Sequence, residues 1–305
     1  MGDDVKHFCG ITAVSLSDKK KNAVPYLYKL LINMQNRGQL SAGISTFKED
    51  RPHIIKTHKD IGNVNEVFKV SFPEKMDRLY NNYEGNKGIG HVRYATCGAN
   101  DRSYAQPFER THGRKYKWFS MCFNGNITNY AKLKEDLLKK KDYHLILDSD
   151  TEVIMHNLSR QLDIGKKPDL SKVFSILSKR FEGAYNISMI NALGEIVVNR
   201  DPIGFRPLVW GRKDDDIFVA SESNALINIG VSKYQDVEPG TMVYVGTDGN
   251  LELKRYAKSK NTAKCMFEWI YFANVSSVID GRSVYLTRRN LGTALAKYET
   301  EKVTK

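Results

Sequence analysis

The sequence predicts an α+β fold in which antiparallel sheets carry helices on their outer faces. Short strand-like segments recur along most of the chain, and the helical patterns arrive in pairs instead of alternating with single strands. A doubly wound parallel sheet needs a helix after nearly every strand, so this order argues against it. The composition, with 41% hydrophobic and 27% charged residues, is typical of a globular protein.

The N-terminal part of the chain predicts a buried strand followed by a helix. Residues 9–16 are mostly apolar, as in a short buried strand. Pro25 is expected to open the helix, because proline is favoured in the first helical turn. The helix is expected to end at Arg37 and Gly38. Its apolar side chains share one face: Leu27, Leu30, Leu31 and Met34.

The rest of the chain predicts short strands and paired helices. Strand-like segments lie at 88–94 and 118–123, and the Asn124-Gly125-Asn126 segment that follows predicts a turn. Helices are expected at 129–138, 151–162, 170–181 and 288–298, and further strands at 187–190, 196–198, 218–221, 241–245 and 251–256. We find no internal repeat.

The charge pattern favours a solvated surface. The formal net charge is +12, but the lysines are scattered over polar turns and are not gathered with aromatic residues. This argues against a nucleic-acid-binding segment. No stretch approaches the ~18 apolar residues of a membrane span, and residues 1–8 lack the apolar core of a secretory signal. We therefore expect a cytoplasmic protein that binds neither nucleic acid nor a membrane.

The four cysteines predict free thiols, one of which is a candidate nucleophile. They are Cys9, Cys97, Cys122 and Cys265. They are widely spaced and form no Cys-x-x-Cys pair, and the histidines do not cluster with acids at ligand spacing. We therefore expect no metal site and no cofactor.

Five short motifs, in this order along the chain, resemble the class II glutamine amidotransferases. They are Cys9-Gly10-Ile11, Asn36 to Gln39, Gly90 to Thr96, Asn124 to Asn126, and Ser149 to Glu152. Later motifs narrow the resemblance to the amidophosphoribosyltransferase family; they lie at 200–208, 220–223, 238–240, 265–273 and 288–292. Each motif alone would be weak, but the set covers nearly the whole chain in order and is specific.

The resemblance implies a fold and a reaction. The fold would be a four-layer αββα sandwich of two antiparallel sheets, as in N-terminal-nucleophile hydrolases. Cys9 would attack the side-chain amide of L-glutamine, release ammonia and leave a γ-glutamyl thioester for water to hydrolyse. A cysteine at a mature N-terminus carries its own base, because an α-amino group has a pKa of about 7.7–8.0. Residues 1–8 would then be a propeptide that is removed.

The resemblance also assigns roles to the residues around the nucleophile. Asn124 and Gly125 would supply the hydrogen-bond donors of an oxyanion hole. Arg93 and Thr96 would bind the α-carboxylate of glutamine, and Asp150 would bind its ammonium group.

A further arginine, Arg37, would lower the pKa of the Cys9 thiol through its fixed positive charge. Here the sequence departs from the family pattern. Leu40 stands where the family normally carries an acid, and Asn36 stands where a basic residue or histidine is common. The loss of that carboxylate is expected to loosen how Arg37 is held and to lower activity.

The chain is expected to divide into a glutaminase domain at 9–257 and, at 258–305, a polar linker with the start of a phosphoribosyltransferase domain. Nothing in the sequence matches the acidic diphosphate-binding loop of that second domain. Either a separate phosphoribosyltransferase subunit is therefore expected to carry out phosphoribosyl transfer in purine biosynthesis, or the chain is a truncated or repurposed glutaminase. The expected protein partner is that subunit or, in a homo-oligomer, a second copy of the chain. Cys265 falls where some family members have an iron–sulfur ligand, but a cluster needs four thiolates and none is expected here.

Three other functions remain open at this level. A catalytically silent glutamine-sensing or scaffold subunit would keep its leader uncut, so Cys9 would never gain a free amine. A relative of asparagine synthetase would share the Arg200-Asp201-Pro202 segment, although residues 267–273 favour the amidotransferase. A nucleic-acid-binding module is suggested by charge alone, and it would require a steep salt dependence of DNA binding.

Overall fold

The computed structural model of the chain describes residues 9–94, 101–139, 144–147, 149–163, 165–259 and 261–299. Within them, the first of two large sheets has seven strands: β1 (Gly10–Ser15), β2 (Ser41–Phe47), β3 (Ile55–Ile61), β4 (Lys87–Arg93), β9 (Val209–Lys213), β10 (Asp216–Ala220) and β11 (Lys233–Asp236). Their spatial order is β11-β9-β10-β1-β4-β2-β3, and every neighbouring pair is antiparallel.

The second sheet has six strands, also antiparallel throughout. They are β5 (Phe108–Arg110), β6 (Phe119–Ile127), β7 (Gly183–Asn191), β8 (Ile196–Asn199), β12 (Thr241–Val245) and β13 (Leu251–Arg255). Their order is β13-β12-β8-β7-β6-β5. A short hairpin of β14 (Val278–Ile279) and β15 (Arg282–Ser283) lies near the end of the described chain.

Helices cover the outer faces of both sheets. The α-helices are α1 (Val24–Ile32), α2 (Val64–Val67), α3 (Pro73–Asn82), α4 (Tyr130–Leu138), α5 (Asp150–Leu162), α6 (Leu170–Ser178), α7 (Ser223–Ile227) and α8 (Val284–Tyr298). Short 3₁₀ turns occur at Gln35–Arg37 and Arg102–Tyr104, and a π-helical turn at Glu268–Phe272. Helices α1, α2, α3 and α7 pack on the first sheet, and α4, α5 and α6 on the second.

The molecule therefore has three apolar layers between four layers of secondary structure, which confirms the predicted αββα sandwich. Strand β1 shows how the sequence builds it. Ile11 and Ala13 belong to the core between the two sheets, whereas Val14 belongs to the core beneath the helices of the first sheet. Because successive side chains of a strand point to opposite faces, β1 is buried along its whole length where both faces are covered. Its buried Thr12 hydroxyl is satisfied by donating to the carbonyl of Val219 at 2.7 Å.

The turn predicted at Asn124-Gly125-Asn126 is wrong, because β6 runs straight through these residues. They pair with Asn186, Tyr185 and Ala184 of β7. A side chain at position 125 would not fit, since a Cβ built on Gly125 would lie 2.0 Å from the backbone oxygen of Ala184. Glycine therefore serves close strand approach here, and the long-range sheet pairing overrides the local turn preference.

None of the helices in the described ranges is both long enough and apolar enough to cross a membrane.

Candidate active site

Cys9 lies directly before β1, at the edge of the sandwich where β4 ends. Gly10 of β1 is opposite Val92 of β4, and the same antiparallel register puts Arg93 beside Cys9. Cys9 is only 7% exposed. The candidate nucleophile and a candidate substrate-binding cation are thus brought together by sheet pairing, although they are far apart in sequence.

The surroundings of Cys9 act on its thiol in opposite directions. Burial raises the pKa of the thiol above its ordinary value. The backbone N–H of Tyr94 and the positive charges of Arg93 and Arg206 lower the pKa in part, while the carboxylate of Asp150 raises it. The balance keeps the thiol protonated near neutral pH, so attack by this sulfur needs a base to remove its proton.

A pocket opens at Cys9 with an empty volume of about 420 Å³. Arg93, Gly125 and Asp150 line it together with the thiol. Its walls come from both sheets and from the first turn of α5. The pocket therefore gathers a nucleophile, a cation, an anion and a glycine backbone in one small space.

Arg93 is held at the pocket wall by an aromatic ring. Its guanidinium carbon lies 5.5 Å from the centroid of the Tyr104 ring, and the residue is 7% exposed. A cation–π contact of this kind favours the guanidinium group over the face of the ring. A guanidinium group at the pocket wall can bind a carboxylate with two parallel hydrogen bonds.

Asp150 is the first residue of α5. The side chain of Ser149 caps this helix by accepting a hydrogen bond from the backbone N–H of Glu152. Burial raises the pKa of the Asp150 carboxyl to about 6, although backbone N–H groups at Ile127 and Thr151 oppose this rise. At neutral pH, Asp150 therefore presents a negative charge to the pocket from a buried position.

Asn124 and Gly125 occupy neighbouring positions of β6 but face different surroundings. Gly125 lines the pocket, whereas Asn124 is fully buried, with its Nδ2 3.5 Å from the Oγ of Ser221. The Ser221 Oγ accepts a 3.0 Å hydrogen bond from the backbone N–H of Ile11 in β1. The Asn124 Oδ1 is buried and has no hydrogen-bond partner among the described residues. Ser221 thus links Asn124 to the strand that carries the nucleophile.

Behind the pocket lies a buried group of two arginines and two glutamates, which we term the arginine–glutamate cluster: Arg37, Arg206, Glu222 and Glu268. Arg37 donates to Glu222 through Nε and to Glu268 through Nη2, both at 2.6 Å. Arg206 Nη1 donates to Glu268 at 3.2 Å. These four side chains are at most 3% exposed. Two carboxylates therefore hold Arg37. The structure does not show the loosening of Arg37 that the missing acid at Leu40 led us to expect.

The cluster touches the strand that follows the nucleophile. A Cβ built on Gly10 would lie 3.2 Å from Cδ of Arg37 and 2.9 Å from a methyl group of Val92. Glycine at this position lets the Arg37 side chain lie against β1. Because Glu222 and Glu268 offset the charge of Arg37, the cations that act on the Cys9 thiol are Arg93 and Arg206. The predicted effect of Arg37 on the thiol stays a prediction.

The structure brings four of the seven predicted site residues to one pocket: Cys9, Arg93, Gly125 and Asp150. Asn124 and Arg37 lie next to it, and Thr96 lies outside the described residues, as do Cys97 and the leader at 1–8. Sequence reasoning assigned no role to Ser221, Glu222 or Glu268. All three belong to the motifs that carry the family resemblance. The motifs do not show which residues these side chains contact, because the partners are distant in sequence.

Cys265 is buried, and its sulfur lies 4.0 Å from Nη1 of Arg206. Over the part of the chain that the structure describes, no three histidine, cysteine, aspartate or glutamate side chains gather where they could hold a metal ion. These residues do not fit an iron–sulfur cluster, which needs four thiolates. The expectation that the chain carries no cofactor stays a prediction.

Comparison with known proteins decides the family. Residues 75–247, more than half of the chain, match the model of the glutamine amidotransferase domain. The chain belongs to the glutamine amidotransferase family. It is a class II glutamine amidotransferase of the amidophosphoribosyltransferase type, as the sequence motifs predicted. The matched range includes Arg93, Asn124, Gly125 and Asp150.

Curated relatives extend the similarity over nearly all of this glutamine amidotransferase chain. The amidophosphoribosyltransferase of Methanothermobacter thermautotrophicus is 38% identical over 294 residues, which cover 96% of this chain and 58% of the relative. That of Escherichia coli K12 is 36% identical over 89% of this chain and 53% of the relative. The chain thus spans little more than half the length of these relatives.

A solved structure of glutamine phosphoribosylpyrophosphate amidotransferase from B. subtilis, complexed with ADP and GMP, has the same fold. Its TM-score is 0.81 at 30% sequence identity, over 96% of this chain and 59% of that protein. The fold predicted for this glutamine amidotransferase is therefore confirmed by an independent structure as well as by its own strand order.

Proposed function

We propose that this chain hydrolyses L-glutamine to L-glutamate and ammonia through a thioester on Cys9. The observation that carries the proposal is the convergence of Cys9, Arg93, Gly125 and Asp150 on one pocket. An α-amino acid with a side-chain amide needs a cation for its carboxylate, an anion for its ammonium group and a nucleophile near the amide carbon. The pocket offers one of each.

The charges of the pocket explain how glutamine would be held. Arg93, stacked on Tyr104, binds the α-carboxylate with two hydrogen bonds. Asp150 binds the α-ammonium group, and Thr96 assists at the carboxylate. The side-chain amide is then directed at Cys9. Its carbonyl oxygen takes the negative charge of the tetrahedral intermediate, which the backbone N–H of Gly125 and the side-chain amide of Asn124 stabilise.

The reaction needs a base, because the buried thiol is protonated near neutral pH. Removal of residues 1–8 gives Cys9 a free α-amino group, which accepts the thiol proton as the sulfur attacks the amide carbon. The C–N bond breaks as that proton passes to the leaving nitrogen, so ammonia departs and a γ-glutamyl thioester remains. Water then attacks the thioester carbon and the C–S bond breaks. Glutamate is released, and the Cys9 thiol is regenerated with a proton from that water.

Two measurements on the full chain test the proposal. Intact mass shows whether residues 1–8 have been removed, and exposure to 6-diazo-5-oxonorleucine is expected to add a single adduct that maps to Cys9. Cys9→Ala is expected to lower glutamine hydrolysis by about 10⁴-fold or more. Cys122→Ala, which changes a thiol in the core between the sheets, is the matched control and keeps its activity. An uncut leader without an adduct would contradict the proposal and would favour a silent sensor subunit.

We propose that the ammonia is consumed by phosphoribosyl amination in purine biosynthesis, in the cytoplasm. The relatives named above are amidophosphoribosyltransferases, and their length exceeds the part that this chain matches. A thiol nucleophile also requires a reducing compartment, and the described cysteines are free. The phosphoribosyltransferase part, whether on this polypeptide or on another, would therefore pack against this glutaminase.

The end of the described chain offers a surface for such a partner. The turn at Glu268–Phe272 and helix α8 expose many large apolar side chains, of which Tyr271, Leu295 and Tyr298 are each more than 70% exposed. Apolar surface of this extent is typical of protein interfaces. We define these two elements as the apolar C-terminal face.

Docking on this face is tested with the phosphoribosyltransferase half of the M. thermautotrophicus relative. A stable complex in size-exclusion chromatography with light scattering is expected, and Leu295→Glu is expected to abolish it. Leu253→Glu changes an exposed leucine of β13 and is the control that leaves the complex intact. Absence of a complex, self-association of the chain alone, or equal binding by both variants would contradict this partner.

A further inference from the structure

Glu268 belongs to the C-terminal part of the described chain, and its side chain lies in the arginine–glutamate cluster. Its two carboxylate oxygens accept hydrogen bonds from both arginines of the arginine–glutamate cluster: Oε2 from Arg37 at 2.6 Å, and Oε1 from Arg206 at 3.2 Å. Glu268 is 1% exposed. Burial by itself would raise its pKa, but the two guanidinium groups hold that pKa below its usual range. Glu268 is therefore a negative charge at neutral pH.

One of these arginines also acts on the nucleophile. The charged side chains that act on the Cys9 thiol are Arg93 from β4, Arg206 from the segment between β8 and β9, and Asp150 from α5. The α-amino group that Cys9 gains on removal of residues 1–8 adds to them and is the same in every variant below. The positive charge of Arg206 therefore has two recipients: the carboxylate of Glu268, which it contacts, and the thiol of Cys9. Because Glu268 offsets part of this charge, less of the field of Arg206 reaches the sulfur.

The segment that carries Glu268 is fastened to the glutaminase body at separate points. The backbone N–H of Asn274 and the hydroxyl of Ser277 both donate to Oε2 of Glu222 at 2.8 Å. Farther along, Asp280 accepts two hydrogen bonds from Arg200, at 2.9 and 3.0 Å. Glu268 and Asp280 are thus two ion-pair anchors of one segment, and of these only Glu268 pairs with an arginine that acts on Cys9.

We propose that Glu268 is a positioning residue of the glutaminase, which acts on Cys9 through Arg206 by offsetting part of the positive charge behind the nucleophile. The proposal rests on the proposed function, because it takes Cys9 as the reacting group. It explains why a residue outside the pocket, on the segment beyond β13, is buried between two arginines. It assigns to this segment an electrostatic role in addition to its role in packing.

The test measures the reactivity of Cys9 without turnover. The full chain is treated with iodoacetamide across a pH series, and the alkylation rate at Cys9 is read by mass spectrometry of its peptide. Glu268→Gln keeps the size and the hydrogen-bonding oxygen but removes the negative charge. We expect the alkylation midpoint to fall by about half a pH unit to one unit, because one uncompensated positive charge favours the thiolate.

Three further variants make the result specific. Arg206→Gln is expected to raise the midpoint, and the double variant Glu268→Gln/Arg206→Gln, which removes one charge of each sign, is expected to return it towards that of the unchanged chain. Asp280→Asn loosens the same segment at its other anchor and is expected to leave the midpoint where it was. Should Glu268→Gln fail to fold, the fall of the midpoint from Arg206→Gln to the double variant tests the same charge, and no fall between these two overturns the proposal.

The outcomes separate this inference from the proposed function. A midpoint that does not fall in Glu268→Gln, or that shifts equally in Asp280→Asn, overturns the positioning role. Loss of hydrolysis in Glu268→Gln with an unchanged midpoint means a purely structural role and also overturns it. The alkylation profile does not depend on glutamine turnover, so failure of the glutaminase proposal would show itself in the Cys9→Ala and leader-mass experiments and not here.

Discussion

The pocket at Cys9 and the arginine–glutamate cluster behind it use the same kinds of charge in opposite ways. In the cluster, arginines and glutamates contact one another at 2.6–3.2 Å and are almost completely buried. In the pocket, Arg93 and Asp150 arise from different layers and both face an empty volume of about 420 Å³. The cluster is complete without a ligand, whereas the pocket has a place for one that carries both charges.

The pKa values of two buried carboxyl groups, one in the pocket and one in the cluster, shift in opposite directions. Burial raises the pKa of Asp150 to about 6, and the backbone N–H groups that contact it oppose this rise only in part. Glu268 is buried at least as deeply, yet its two guanidinium contacts hold its pKa below the usual range. Of these two buried carboxylates, Glu268 has its charge met by two cations of the fold, whereas Asp150 offers its charge to the pocket.

The largest effect is expected from Arg37→Met, on stability. The substitution leaves Glu222 and one side of Glu268 as buried carboxylates without their cation, so the free energy of unfolding is expected to fall by about 3–5 kcal/mol. Urea denaturation followed by circular dichroism measures it. Lys19→Met removes the cation of an exposed pair with Glu49 and is expected to leave the unfolding midpoint unchanged. Equal midpoints in the two variants would show that the cluster does not support the fold.

The next effect is expected from Asn124→Ala, on catalysis. If the Asn124 amide stabilises the oxyanion, its loss lowers kcat for glutamine hydrolysis by about 10²–10³-fold, with little change in KM. Asn126→Ala, a half-buried asparagine two positions along β6, is the control and is expected to stay within about twofold, as is usual for a substitution away from the reacting atoms. A rise in KM at constant kcat would instead place Asn124 in substrate binding.

Local patterns predicted much of the fold, because apolar periodicity reports which faces are covered. The strand expected at 241–245 matches β12, and the helix expected at 170–181 begins where α6 begins. Strands β2 and β3 escaped prediction. β2 is rich in small and hydroxyl-bearing residues and β3 in charged ones, so neither has a clear apolar pattern. Both are fixed by pairing in the sheet, which is a long-range contact.

The sequence predicted the site residues that stand in recognisable motifs, but it did not predict the contacts between distant motifs. Cys9, Arg93 and Asp150 each stand in a recognisable motif, and the fold brings them together as the resemblance implied. The partners of Arg37 could not be predicted, because Glu222 and Glu268 lie 185 and 231 residues away in sequence. The missing acid at position 40 pointed to a loosely held Arg37, yet two distant carboxylates hold it. Which charges pair with one another is set by tertiary structure.

The smallest effect is a pH dependence that arises from Asp150. Burial raises its pKa to about 6, so in the free enzyme the carboxylate that would bind the ammonium group of glutamine is lost as the pH falls through that value. The kcat/KM for glutamine already falls where the α-amino base of Cys9 becomes protonated, and it is expected to fall about tenfold more steeply for each pH unit below about 6, because kcat/KM reports every essential ionisation of the free enzyme. The ammonium group of the substrate stays protonated throughout this range, so its ionisation does not change kcat/KM.

Asp150→Asn separates this ionisation from others on the acidic side. The variant is expected to have a kcat/KM about 100-fold lower at pH 7, since a buried charge partner of the substrate is gone. The decline due to the α-amino base is expected to remain, whereas the extra steepening below about pH 6 is expected to disappear. Glu268, whose pKa lies below the usual range, remains ionised at pH 5–6 and does not contribute a competing limb there. If Asp150→Asn retained the extra steepening below pH 6, the titrating group would lie elsewhere, and the contrast between the carboxylates of Asp150 and Glu268 would be refuted.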